Sequence, residues 1–223
     1  MTGDRVLRRL DEAVAAGHLV RISRRKRWDR LDGVVQARSA KWLLLAYEVD
    51  AGFDGHVLLR VADVRHVEPV PSSFLRRALE LEGHWPLPTL DGVDLSSTRA
   101  ALRSLAATEP LVGVHDEYDH PDECLIGVPR GFRRRTFRLQ NVTPDATWDP
   151  VDAVLRYRSI SRIVVGGAYE RRLAAVAGPH PPERRAWRRT ASARSHGAGG
   201  PVLLAVLVDG LRAPRPVPRV AER

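Results

Sequence analysis

Two arginine-rich turns hold the side chains of this chain best suited to chemistry. Arg24, Arg25, Lys26, Arg27 and Arg30 cluster around Trp28. Several cations on one turn can neutralise neighbouring phosphates, and an indole offers a face on which a base can stack. Farther on, Arg130, Arg133, Arg134 and Arg135 surround Phe132. Both turns read as candidate nucleic-acid contacts. The alternative is a solvated hairpin tip whose aromatic folds back onto the body.

A second cluster, His115-Asp116-Glu117-Tyr118-Asp119-His120-Pro121-Asp122-Glu123-Cys124, contains the common metal-ligand types. Zinc needs ligands that converge tetrahedrally, usually from spaced pairs. One cysteine and two histidines around Asp119-His120-Pro121-Asp122 read instead as a polar turn between strands. No metal and no other cofactor is therefore expected, and Cys124 reads as a half-buried small apolar residue rather than a nucleophile. Gly166-Gly167, between a strand and a helix, offers backbone amides to an anion. Without a lysine it reads first as a tight turn. The sequence holds no G-x-S-x-G, Walker loop, dinucleotide fingerprint or HExxH. A non-enzymatic role is expected, with an acidic metal-dependent hydrolase site at Asp116–Glu123 as the last alternative.

The elements that must position these residues are mainly short strands. Val6, Leu7, Leu10 and Val14 fall on one helical face within 3–16. Strand patterns follow at His18–Ser23, Leu31–Ser39, Lys41–Val49, His56–Ala62 and Val64–Val67, with Arg24–Arg30 as a charged turn. Pro69 and Pro71 end the pairing, and a helix runs from Phe74 to Glu82. The same order then returns: a helix capped by Ser96 or Ser97, a strand at Leu111–His115, two strands carrying Leu125–Val128 and Phe137–Leu139, two more, and a helix at Ala168–Val176. The phrase DGHVLLRVADVRHVEPVPSSFLRRAL of Asp54–Leu79 has a faded copy in DAVLRYRSISRIVVGGAYERRLA of Asp152–Ala174. Leu59-Arg60 matches Leu155-Arg156, Val64 matches Ile160, and Val67 matches Ile163. An offset this steady reads as an internal duplication. Phe74 and Tyr169 open equivalent helices, where each is expected to staple its helix to the sheet. Trp85 is expected to pack against the first unit.

The division read from these patterns is a first unit at 1–83, a linker at 84–95, a second unit at 96–178, and a basic tail at 179–223 that reads as disordered. Within the tail, Val202–Leu211 is a short apolar segment, about half of what a membrane span needs.

A helix followed by five bent strands, with Gly33 and Gly127 in the second strand of each set, resembles the Sm-like barrel. The chain is similar to uncharacterised bacterial proteins of actinobacterial type built as tandem Sm-like barrels, and it carries the phrases DGHVLLRVADV, ECLIGV and ISRIVVGGAYERRL. The resemblance implies a mainly β, α+β fold: two small five-stranded barrels, each with an N-terminal and a closing C-terminal helix. RNA-binding Sm proteins place a basic residue beside a glycine between their last two strands. Here those places read Arg60-Val61-Ala62-Asp63 and Arg156-Tyr157-Arg158-Ser159, so Arg60 and Arg156 stand for the basic member and the glycine is missing. The acidic or amide residue of the third strand is replaced by leucine at 43–45.

Composition bounds the partners. The net charge is +9, yet nine arginines against three acidic residues lie beyond residue 178. The body is close to balanced, which weakens a purely electrostatic case for nucleic acid. There is no apolar run of membrane-spanning length and only one cysteine, so a reducing cytoplasm is the expected location. The expected function is an adaptor working through protein–protein contacts; the alternative is RNA or DNA binding through the arginine-rich hairpins and tail.

Overall fold

The computed structural model describes residues 2–25, 30–70 and 73–182. It is mainly β, with four α-helices and one open antiparallel sheet of ten strands among the described residues. The first run comprises α1 (Thr2–Ala16), β1 (Leu19–Arg24), β2 (Arg30–Arg38), β3 (Trp42–Val49), β4 (Gly52–Arg60), a 3-10 turn at Val61–Asp63, β5 (Val64–Pro69) and α2 (Ser73–Leu81). The second comprises α3 (Thr98–Thr108), β6 (Val112–His115), β7 (Cys124–Arg130), β8 (Thr136–Asn141), β9 (Ala153–Arg156), β10 (Arg162–Val165) and α4 (Ala168–Ala177). Helix α3 begins at Ser97, whose hydroxyl accepts the Ala100 amide (3.1 Å). That satisfies one of the donors every helix start leaves open.

The strand order is β5-β1-β2-β3-β4-β10-β6-β7-β8-β9. Within each run the fifth strand lies beside the first, and the others follow in sequence. The runs meet where β4 pairs β10, in the register Leu59 opposite Arg162 and Leu58 opposite Ile163. Proline does not end the last strand of the first run, since Pro69 sits opposite Val20 in the β1–β5 ladder. It occupies a strand at the edge of the sheet among the described residues, where its missing N–H costs no inner bond.

Two glycines are fixed by close approach of the next strand. A Cβ on Gly33 would lie 2.1 Å from Ala46 O, and one on Gly127 would lie 2.0 Å from Gln140 O. Both stand in the second strand of their run, and no side chain fits at either place.

Helix α1 buries Val6, Leu10 and Ala13, at the three-to-four spacing of one face, against Ile22, Leu43, Leu45 and Leu59. Helix α3 buries Ala101, Leu102 and Leu105 in a second cluster that also takes Trp42, Leu44 and Leu58 from the first run and Phe137, Ile160 and Ile163 from the second. The core therefore crosses the junction. Helix α2 and Trp85 cover Leu19 and Ala46, while α4 and Trp148 cover Ile126 and Val142. The segment between the runs is held to the first: Gln36 Nε2 and His56 Nε2 donate to Pro88 O (2.6 and 3.0 Å), and Leu87 and Leu95 are buried. No helix among the described residues is long and apolar enough to cross a membrane.

Candidate functional site

The sequence-predicted arginines separate into three groups once they are placed. Arg24 is the last residue of β1, not part of a loop, and is 7% exposed. Its guanidinium grips the Glu117 carboxylate with both terminal nitrogens, Nη1 donating to Oε1 at 3.1 Å and Nη2 to Oε2. Arg162 Nη2 lies 3.5 Å from the same carboxylate, and Ser161 Oγ lies 2.7 Å from Oε2. Burial opposes the Glu117 charge, but the bond from Arg24 and the charges of Arg162 and Arg24 outweigh it and bring the carboxyl down to about 2. Arg24 is thus consumed in a structural ion pair spanning the two runs. A phosphate would have to displace a buried carboxylate to reach it.

Beside this pair lies His115, also buried, with Nδ1 3.3 Å from Arg162 Nη2. Burial and then the Arg162 charge hold it well below the ordinary histidine range. It is neutral, so Nδ1 can accept from the guanidinium. Cys124 keeps some exposed surface, but its thiol is enclosed, and burial pushes it up to about 12. A thiol so hard to ionise is a poor nucleophile. Tyr118 OH donates to Asp63 Oδ1, and burial followed by that carboxylate pushes the phenol up to about 12. Among the described residues no three His, Cys, Asp or Glu side chains are grouped to hold a metal ion. Two members of the stretch, Glu117 and Tyr118, bind Arg24 and Asp63 of the first run.

Arg60 is the second consumed arginine. Nη2 donates to Tyr157 O (3.1 Å) and to Arg158 O, while the guanidinium lies 5.9 Å from the centre of the Trp42 ring. Its partners are carbonyls of the other run, and it is half-buried. Arg25 keeps an exposed side chain and reaches Asp63 Oδ1 at 3.5 Å. Lys26, Arg27 and Trp28 lie outside the described residues, as do residues 183–223 of the tail, including Val202–Leu211.

Arg133, Arg134, Arg135 and Arg156 form the third group, and all four are exposed. The first three sit in the β7–β8 loop beside a ladder of rings, Phe132 on Phe137 (6.4 Å) and Phe137 on Tyr157 (5.5 Å). Tyr157 OH donates to Arg133 O (3.1 Å), fixing the loop. Arg130, in contrast, is paired with Asp152, Nε donating to Oδ2 at 3.0 Å.

The Gly166-Gly167 turn meets an anion belonging to the chain itself. Asp54 Oδ1 accepts the Ala168 amide (2.7 Å) at the start of α4, and a Cβ on Gly167 would lie 3.3 Å from the same oxygen. A carboxylate from the first run fills the place an external anion would take.

The two staple residues turn the other way. Phe74 is 75% exposed and Tyr169 38%. Phe74, Arg77 and Leu81 lie at i, i+3 and i+7 on α2, hence on one face, and Tyr169, Arg172 and Val176 repeat that spacing on α4. Leu81 is 88% exposed and Val176 76%, with Arg77 and Arg172 exposed beside them. Leu79 and Leu173 do the stapling on the opposite faces. The spacing was visible in the sequence, but an aromatic at a helix start signals a buried staple as readily as an open one. Comparison with family models, curated proteins and solved structures gives no match for this chain.

Proposed function

We propose that this chain is a non-enzymatic cytoplasmic adaptor that works through protein–protein contacts and is built from two Sm-like units joined edge to edge. The shared strand order of the two runs and the matching glycines at Gly33 and Gly127 support the two-unit reading. One observation carries the adaptor reading: the exposed aromatic–arginine–aliphatic face occurs twice, at Phe74/Arg77/Leu81 and Tyr169/Arg172/Val176. Single exposed apolar residues are ordinary, but a repeated apolar and basic face marks a place where a partner docks. The test is affinity capture from an extract of the native organism with the full chain and with a Phe74→Ser/Leu81→Ser/Tyr169→Ser/Val176→Ser variant. All four residues are exposed, so the variant should fold and lose specifically retained proteins. An identical retained set for both proteins sinks this reading.

Nucleic-acid binding is the second reading, favoured by the exposed Arg133, Arg134 and Arg135 beside the Phe132–Phe137–Tyr157 ladder. Its test is a salt titration of binding to single-stranded RNA. Binding that weakens steeply with salt, with a slope reduced in the Arg133→Ala/Arg134→Ala/Arg135→Ala variant, supports it. Absence of binding at low salt removes it.

A further inference from the structure

We propose that the two sheet edges left open among the described residues pair with each other between molecules, so that chains assemble head to tail through β9 of one copy and β5 of the next. The junction inside the chain shows what covers such edges. There the fourth strand of the first run, β4, pairs the fifth strand of the second, β10. Among the described residues the sheet ends on the complementary pair, the fifth strand of the first run and the fourth strand of the second.

Equivalent positions differ in the way an uncovered edge requires. Leu58 in β4 and Ile163 in β10 face each other and are fully buried. Their counterparts at the same offset are Val154 in β9, 68% exposed, and Val67 in β5, partly exposed. The backbone is poised as well. Tyr157 N donates to Arg135 O (3.2 Å), so alternation along the strand turns the N–H and C=O of Val154 away from β8 and toward open space. Val70 N donates to Leu19 O (3.0 Å), which by the same alternation turns Val67 outward from β1.

Copying the internal register places Val154 opposite Val67, Leu155 opposite His66 and Ala153 opposite Glu68. Pro69 then falls opposite Asp152, offers only its carbonyl, and ends the ladder. Extended one residue past Arg162–Leu59, the same register sets Arg65 against Arg156, at the place where the internal junction has Ser161 and Arg60. Like charges across a strand pair weaken it, so this contact is looser than the internal one and reversible. Because it joins two different edges it is heterologous and repeats, as a ring if the rotation closes and as a filament if it does not. The proposal rests on the two-unit reading of the sheet and not on the adaptor role.

The test has four arms on the full chain. Mass is first followed over a concentration series by light scattering, where species larger than one chain are expected to grow with concentration. Val154→Pro and Val67→Pro each remove one outward N–H while leaving the inner ladder intact, and each alone should give single chains. Mixed, they should give two-chain species and nothing larger, since each supplies one sound edge. In a Cys124→Ala background, Val154→Cys with Val67→Cys should form disulfide-linked multimers, because directly paired residues lie about 5.5 Å apart at Cα, within disulfide range. That arm decides the matter if a proline variant fails to fold. Arg65→Ser, which copies the internal junction, should tighten association about two- to fivefold. A single-chain mass for the wild type at every concentration overturns the proposal, as does the absence of the cross-link. A single chain that still captures protein partners sinks the assembly and leaves the adaptor reading standing.

Discussion

Replacing Glu117 with glutamine removes one carboxylate from beneath two guanidiniums. The side chains of Arg24 and Arg162 are 5% and 11% exposed, so neither can turn to water for compensation. Removing one partner of a buried ion pair costs about 3–5 kcal/mol, because the remaining charge stays desolvated. The acidity of Glu117, set by the same two arginines, gives a figure of the same order. Its carboxyl falls from an ordinary 4.5 to about 2, and at about 1.4 kcal/mol per unit that is about 3 kcal/mol. Since the folded carboxyl is the more acidic, this contribution is present in full above pH 4.5 and is lost as the pH falls toward 2. Urea unfolding of the wild type and of Glu117→Gln should therefore differ by about 3 kcal/mol at neutral pH, a drop in thermal midpoint of about 6–12 °C. The two curves should converge on acidification, because a protonated glutamic acid and a glutamine are alike in charge. Burial disfavours protonation of His115 in both proteins, and the Glu117 charge, which favours it, is missing from Glu117→Gln. A gap that does not change with pH, or one below about 1 kcal/mol at neutral pH, refutes the reasoning.

Gly127→Ala should be among the most damaging small substitutions, since the added methyl would stand 2.0 Å from Gln140 O. A loss of about 3 kcal/mol or more in chemical denaturation is expected. Arg60→Ala should cost about 1–3 kcal/mol by freeing the carbonyls of Tyr157 and Arg158, and Arg156→Ala, an exposed residue on the same-numbered strand of the second run, should change stability by less than about 0.5 kcal/mol. Equal losses for the two would contradict the placement. Asp54→Asn should destabilise by about 0.5–1 kcal/mol through the loss of a full charge at the start of α4. Amide exchange in the first turn of that helix would report it.

The alternation of apolar residues was enough to find nearly every strand and helix, because each is half-buried and carries the period of its own geometry. Boundaries moved where a single residue had two plausible roles. Arg24 reads as part of a charged turn because arginine is rarely buried, yet it closes β1 since Glu117, distant in sequence, supplies its counter-charge. Pro69 reads as a stop, but it stays in the ladder opposite Val20, on a strand that lies at the edge of the sheet among the described residues. Arg60 and Arg156 match in the sequence and part in space, because only Arg60 lies at the strand pair that joins the runs. A periodic pattern reports which face of a strand is covered. It does not report which strand lies alongside, and the candidate site depended on that.

The position of β10 bears on how the chain can be made. Among the described residues, 162–165 form the last strand in sequence, yet it lies in the middle of the sheet, between β4 and β6. While the ribosome is still short of that point, Leu58 on one side and Val114 on the other have no strand to meet them. A nascent chain thus carries two unfinished borders until its final strand arrives, and the same insertion covers both. Any chain broken off before residue 162 lacks the strand that pairs both borders. The central position of this late strand joins the two halves of the sheet in a single event.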